Sequence, residues 1–354
     1  MDRRDVLTGA AGSALALGLM SPTALRAADG DPYLRFVHPE LRNIVTRLKA
    51  MMGEQPPLND TLLAARRKDM TRFGAPPRKD VAVERRVVPV GRGQPDVAIH
   101  IVNAKSGESR PAILHTHGGG YVMGSAESSV SALQDLCAEL GCAAVSAEYR
   151  LAPETTYAGS LEDNYAGLKW LHANAASIGV DPARIAVMGE SAGGGHAAIL
   201  AQVARDRGEV PLAFQCLVYA MLDDRTGTTR KMPDHVGRLI WRAGDNRFGW
   251  RSFLGREPGL SAAPRYAVPA RMENLAGLPP GWIGVGAIDL FCDEDVDYAQ
   301  RLNSAGVQTE LIVVPGAFHG FDGAGAMDPA VRISGWFNTA KKNALRRGLG
   351  LAAV

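Results

Sequence analysis

From residue 111 onward, short apolar runs bounded by Gly or Pro alternate with longer segments of helical periodicity, and this restricts the chain to few architectures. Runs at 111–116, 142–147, 184–188, 212–219, 281–287 and 309–314 read as strands. Segments at 160–178, 192–207, 294–305 and 329–345 read as helices. A strand buried on both faces needs helices on both faces, so the pattern predicts a mostly parallel central sheet covered by helices. Upstream, 81–90 and 97–102 read as two further strands around a Gly-rich turn.

Two segments break this rhythm. Within 32–73, Leu41, Ile44, Val45, Leu48 and Met52 recur at helical steps; Pro56-Pro57 interrupts the segment and Pro76-Pro77 ends it. Residues 223–278 carry charges and turns but no buried-strand signal. Their Ile240-Trp241, Phe248-Gly249-Trp250 and Phe253-Leu254 clusters are too apolar for disorder. They read as an inserted helical cap against which the N-terminal helices pack, with Met51, Met52, Trp241 and Trp250 in its core rather than on a lipid-facing lid. The expected organisation is N-terminal cap helices at 29–80, a catalytic domain at 81–222 and 279–354, and a cap insertion at 223–278.

Residues 1–28 fit none of these units. Arg3 and Arg4 precede an uncharged Ala-, Gly- and Leu-rich run at 7–25, followed by Arg26-Ala27-Ala28. This order resembles a twin-arginine export signal and predicts a periplasmic or secreted protein; the alternative is an uncleaved amphipathic segment and a cytoplasmic one. No later run is apolar enough for a membrane anchor.

Composition narrows the partners. A net charge of +2 and the lack of a basic stripe with interleaved aromatics argue against nucleic acid. The run Ala64-Ala65-Arg66-Arg67-Lys68 reads as a solvated helix face. Four cysteines without a CxxC pair support neither a disulfide scaffold nor a zinc site. Cys137 and Cys142 read as buried free thiols, although an oxidising compartment would permit a bridge.

The chemistry is carried by two glycine motifs. Gly189-Glu190-Ser191-Ala192-Gly193 follows a predicted strand and opens an Ala-rich helix, the context required for a nucleophile elbow that lifts a serine hydroxyl above a strand end. His117-Gly118-Gly119-Gly120 follows the strand ending at Thr116. Three consecutive glycines surrender conformational entropy on folding, and a loop without Cβ atoms can turn its N–H groups toward an oxyanion. Donors are expected from Gly118, Gly119, Gly120 and Ala192. In a plain structural reading each motif is only a Gly-rich turn; together they are far more specific.

A serine nucleophile needs a base. His196, His235 and His319 follow Ser191. His196 lies inside the predicted helix and reads as a packing residue, and His235 lies in the cap. His319 follows the strand at 309–314, where this architecture places chemistry. For the acid, Asp289 sits two residues past its strand and is best placed. Asp293, Glu294 and Asp295 would begin the next helix, where the helix dipole favours acids. Asp223 and Asp224 read as pinning the cap hinge.

These residues resemble the hormone-sensitive-lipase-like (bacterial family IV) carboxylesterases of the α/β-hydrolase fold. The resemblance rests on HGGG at 117–120, YRLAPE at 149–154, GESAGG at 189–194, DLFCDE at 289–294 and HGF at 319–321, and runs from about residue 83 to the end. It implies a helical cap, Asp289 as the catalytic acid, and hydrolysis of short- to medium-chain acyl esters without metal or organic cofactor. Ala220 stands where the family usually has Pro, and Glu190 where Asp is common. Rival readings are an amidase or formamidase on the same scaffold, a lipase, and a ligand-binding relative. A small acyl ester is the expected partner, and the sequence leaves room for a homodimer.

Overall fold

The computed structural model describes residues 30–70, 76–91 and 93–352. The expected signal segment at 1–28 lies outside the described residues.

The predicted strands form one eight-stranded sheet among the described residues, in the order β1-β2-β4-β3-β5-β6-β7-β8. The strands are β1 Val83–Val88, β2 Val97–Val102, β3 Arg110–Thr116, β4 Ala143–Ala147, β5 Val180–Glu190, β6 Phe214–Val218, β7 Gly281–Gly286 and β8 Thr309–Val314. β2 runs antiparallel to both β1 and β4; every later pairing is parallel. The helices are α1 Arg42–Met52, α2 Asp60–Met70, α3 Ala126–Leu140, α4 Tyr157–Ala173, α5 Ala192–Arg207, α6 Ala243–Leu254, α7 Cys292–Ser304 and α8 Arg332–Gly348, with one further turn at Ala324–Met327.

Alternation along each strand divides the core in two. Leu114, Val187, Leu217 and Ile283 face one side with Leu168 of α4, Leu200 of α5 and Leu302 of α7. Ile113, Ala186, Met188, Val218 and Val285 face the other with Leu133 of α3 and Phe337 of α8. The strand runs lack a clean polar face because helices cover both sides. The predicted helix at 160–178 is instead α4 followed by a 3₁₀ turn, Ala175–Ile178, after a break at Asn174.

In the 223–278 segment the regular α-helix is α6, and its contacts run toward the N-terminus. Asp245 Oδ1 accepts from Leu58 N (2.7 Å), Arg242 Nη1 donates to Gln55 O (2.7 Å), and Arg251 pairs with Asp60 (3.1 Å). Trp241 and Trp250 are buried, whereas Met51 and Met52 are exposed, because α1 turns Ile44 and Val45 inward instead, next to the buried Leu41 just before it. His235 stacks on Phe36 at 4.4 Å. Arg67 also departs from the solvated-face reading: it donates to Val122 O and Ala152 O and forms a bidentate pair with Glu154. Such contacts, made across 55 to 87 residues, have no local sequence signature. The four cysteines are free thiols. No helix among the described residues is long and apolar enough to cross a membrane.

Candidate active site

Parallel pairing puts the ends of five strands on one edge of the sheet. Thr116 of β3 stands opposite Gly189 of β5, and Glu190 opposite Val218 of β6. The loops after β3, β5, β6, β7 and β8 therefore emerge side by side, where open α/β sheets bind ligands. They carry, in order, the triple glycine, Ser191, Tyr219, Asp289 and His319.

The turn at Ser191 is forced by close backbone approach. Ser191 has φ +59° and ψ −123°, a region costing a residue with a Cβ about 1–3 kcal/mol. Its N–H donates to Val218 O (2.9 Å) and its carbonyl accepts from Gly195 N and Met221 N, so both neighbours hold the strained turn. A Cβ at Gly193 would lie 2.0 Å from Thr116 O, and one at Gly189 would lie 2.3 Å from Gly193 C. Neither position accepts a side chain without moving backbone, which explains why the motif places glycine at both.

The structure brings Ser191, His319 and Asp289 together. His319 Nε2 lies 3.0 Å from Ser191 Oγ, and Nδ1 lies 2.9 Å from Asp289 Oδ2. The second carboxylate oxygen of Asp289 accepts from Phe291 N (3.0 Å). Asp289 is fully buried, and Ser191 and His319 are nearly so. The His319 ring is bounded by Tyr219 (4.8 Å) and Phe291 (5.3 Å), both edge-on. A carboxylate accepts from Nδ1–H, which leaves Nε2 with a lone pair toward the hydroxyl.

The triple glycine lies against the same turn. A Cβ at Gly118 would be 2.9 Å from Glu190 O and 3.5 Å from Ser191 Cβ. The N–H groups of Gly118, Gly119, Gly120 and Ala192 donate to no acceptor among the described residues. Gly120 has φ +61°, and a Cβ there would lie 2.0 Å from the Trp241 ring, so the 223–278 segment packs directly on this loop. Trp241 is fixed by its Nε1 hydrogen bond to Asn246 Oδ1 (3.1 Å). His117 does not reach the serine. Its Nδ1 donates to Gly118 O (2.9 Å), its ring stacks on Tyr149 (4.1 Å), and burial pushes its pKa down to about 4, so it is a neutral support for the loop.

The remaining candidates separate clearly. His196 is buried among Tyr121, Tyr149 and Phe253, with burial pushing its pKa down to about 3; it is a packing residue. Asp224 accepts from Gly259 N (2.7 Å) and Arg271 Nε (2.6 Å), tying the start of the 223–278 segment to its later part. Glu294 and Asp295 do more than favour a helix start. Glu294 Oε1 accepts from Leu222 N and Asp223 N, and Asp295 Oδ2 from Ala220 N, so both hold the loop that follows β6. Burial pushes both acids well above the ordinary carboxylate range. Tyr219 begins the 219–224 stretch that shares in the family resemblance, but its role is not legible there, because a tyrosine after a strand carries no signal of a partner a hundred residues away.

A central parallel sheet with a strained serine after β5 and a histidine after β8 defines the α/β-hydrolase fold. A family model described as alpha/beta hydrolase fold matches residues 113–323, and the chain belongs to that family, in its hormone-sensitive-lipase-like branch. It is 34% identical to carboxylesterase NlhH of Mycobacterium tuberculosis over 227 residues, spanning 63% of this chain and 70% of that protein. It is 35% identical to esterase LipI of the same organism over 221 residues, 62% and 68% of the two chains. Among solved structures it is similar to a bacterial heroin esterase, with a TM-score of 0.79 and 35% identity over 89% of this chain and 99% of that one. Esterase LipW of Mycobacterium marinum matches with a TM-score of 0.74 and 32% identity, over 89% and 96%.

Proposed function

We propose that this protein is a serine carboxylesterase acting on short- to medium-chain acyl esters through an acyl-enzyme intermediate, with Ser191 as nucleophile, His319 as general base and Asp289 as the orienting acid. The observation that carries the reading is the unbroken chain from Ser191 Oγ through His319 to the buried Asp289, at 3.0 and 2.9 Å. The esterase names of its relatives support the same class.

The steps follow from the geometry. Ser191 Oγ attacks the ester carbonyl carbon as His319 Nε2 takes the hydroxyl proton. The carbonyl oxygen becomes an oxyanion beside the N–H groups of Gly118–Gly120 and Ala192, where the positive end of α5 adds a favourable field. The tetrahedral intermediate collapses, and His319 passes its proton to the departing alkoxide, releasing the alcohol. Water then attacks the acyl-enzyme with His319 again as base, freeing the acid and restoring Ser191.

The test is hydrolysis of p-nitrophenyl esters from acetyl to palmitoyl by the wild type and Ser191→Ala. Turnover greatest at short chains and reduced on the order of 10⁶-fold in the variant is the expected result. Ester turnover that survives the substitution defeats the assignment. Turnover of matched amides alone moves the reading to an amidase, and binding without turnover to a receptor.

Two further proposals concern the chain outside this site. The described parts of 29–80, with 223–278, form the cap over a body made of the described parts of 81–222 and 279–354, supported by the contacts of Arg242 and α6 with 55–60 and of Trp241 with Gly120. The arginine pair and apolar run of residues 1–28 direct export to the periplasm or beyond. Deleting 1–28 should leave esterase activity intact and abolish export; loss of folding would overturn that proposal.

A further inference from the structure

The turn after His319 is held by one face of the C-terminal helix. Ser334 Oγ donates to Phe321 O (2.7 Å), Asn338 Nδ2 donates to Asp322 O (2.9 Å), and Lys341 Nζ lies 3.7 Å from Asp322 Oδ2. The spacing of four and three residues puts these side chains on a single stripe of α8. The Phe321 ring packs on Phe337 of the same helix at 4.7 Å. The other carboxylate oxygen of Asp322 accepts from Tyr219 Oη (2.8 Å), and the Tyr219 ring stands edge-on to His319 at 4.8 Å.

Lys341 and Asp322 are both largely shielded, with side chains 12% and 15% exposed. An ammonium placed there needs a reason, because desolvating a charge is costly unless it is paired. Burial works against its charge, but Asp322 and Glu190 outweigh that and hold Lys341 above the ordinary lysine range. Glu190 in turn pairs with His115 (3.0 Å), whose other ring nitrogen meets Ser146 Oγ (3.0 Å). The lysine therefore pairs with Asp322, three residues beyond the base, and feels the charge of Glu190, which precedes the nucleophile.

We propose that Lys341 is a positioning residue for the ester hydrolysis: by holding Asp322 it fixes Tyr219 against the His319 ring and keeps Nε2 directed at Ser191. The proposal rests on the assignment of Ser191 and His319 made above. Without the ammonium, the Asp322 carboxylate turns toward water, the Tyr219 hydroxyl loses its acceptor, and one wall of the imidazole slot is free to rotate. A base displaced by about an ångström loses up to about 100-fold in turnover without losing substrate affinity.

The experiment measures kcat and KM for p-nitrophenyl acetate, with thermal melting, in Lys341→Met, Lys341→Arg, Tyr219→Phe and the Lys341→Met/Tyr219→Phe pair. Expected are a fall in kcat of about 10- to 100-fold in each uncharged single variant with KM within about twofold, recovery of most of kcat in Lys341→Arg, and a double variant no worse than the poorer single. A folded Lys341→Met enzyme with wild-type kcat, or single losses that multiply in the double variant, overturns the proposal. If Lys341→Met does not fold, Tyr219→Phe decides alone: it keeps the ring and removes only the hydroxyl, and unchanged kcat refutes the relay. A wild type without ester turnover would instead refute the underlying assignment.

Discussion

Replacing Asp289 with asparagine changes one atom in a fully buried site, and the surrounding donors determine the outcome. The carboxylate accepts from His319 Nδ1 with one oxygen and from Phe291 N with the other. An amide offers one carbonyl oxygen and one NH₂, so both donors cannot be satisfied together. If the oxygen stays with Phe291 N, the NH₂ faces Nδ1 and forces the proton onto Nε2. That nitrogen then donates to Ser191 Oγ and cannot accept its proton. The loss expected in kcat is on the order of 10⁴-fold, which is about 5 kcal/mol of barrier. If the oxygen turns to His319 instead, Phe291 N–H is left unpaired at about 1–3 kcal/mol of stability, and the imidazolium formed in each step loses its counter-charge. Both arrangements predict a folded protein with a similar KM and a far lower kcat. Steady-state kinetics on p-nitrophenyl acetate with a thermal melt separates them: a nearly unchanged melt marks the first and a lowered melt the second. A folded Asp289→Asn enzyme within tenfold of wild-type kcat would refute the assignment of Asp289.

Other perturbations have equally definite outcomes. Gly120→Ala should lower kcat about 100-fold or more, because its Cβ would strike the Trp241 ring and displace a donor N–H; Gly120→Ala/Trp241→Ala should recover part of the loss, and kinetics on the pair checks this. Trp250→Ala, at a fully buried indole, should cost about 3–5 kcal/mol in denaturant unfolding. Glu294 is raised well above 4.5 by burial, so the folded state holds a proton that the unfolded chain releases, and stability falls as pH rises above that value. The melting temperature of the wild type should therefore drop relative to Glu294→Gln as pH rises above the ordinary carboxylate range; parallel curves would show that the acid is not protonated in the fold. Glu294→Ala should cost more than Glu294→Gln, because Leu222 N–H and Asp223 N–H lose their acceptor.

The sequence by itself determined what local backbone geometry dictates. Gly189 and Gly193 are required because strand β5 turns into α5 with no room for a Cβ, and that demand is written within five residues. The alternation of apolar runs and helices implied a parallel sheet because covered strands need two apolar faces, and order along the chain then placed Ser191, Asp289 and His319 at strand ends. Even so, spacing left Asp293, Glu294 and Asp295 as rivals of Asp289. Beyond the family resemblance, side-chain direction separates them: Asp289, in the β7–α7 loop, meets His319, while Glu294 and Asp295, in the first turn of α7, turn to the loop after β6. Tertiary structure likewise drew Arg67 into the space beside Val122 and Ala152, exposed Met51 and Met52, laid Trp241 on Gly120 and brought Lys341 to Asp322. These pairings span from about 20 to more than 100 residues. A side chain's own neighbours in sequence carry no record of such partners, because the topology of the sheet, rather than local propensity, brings them into contact.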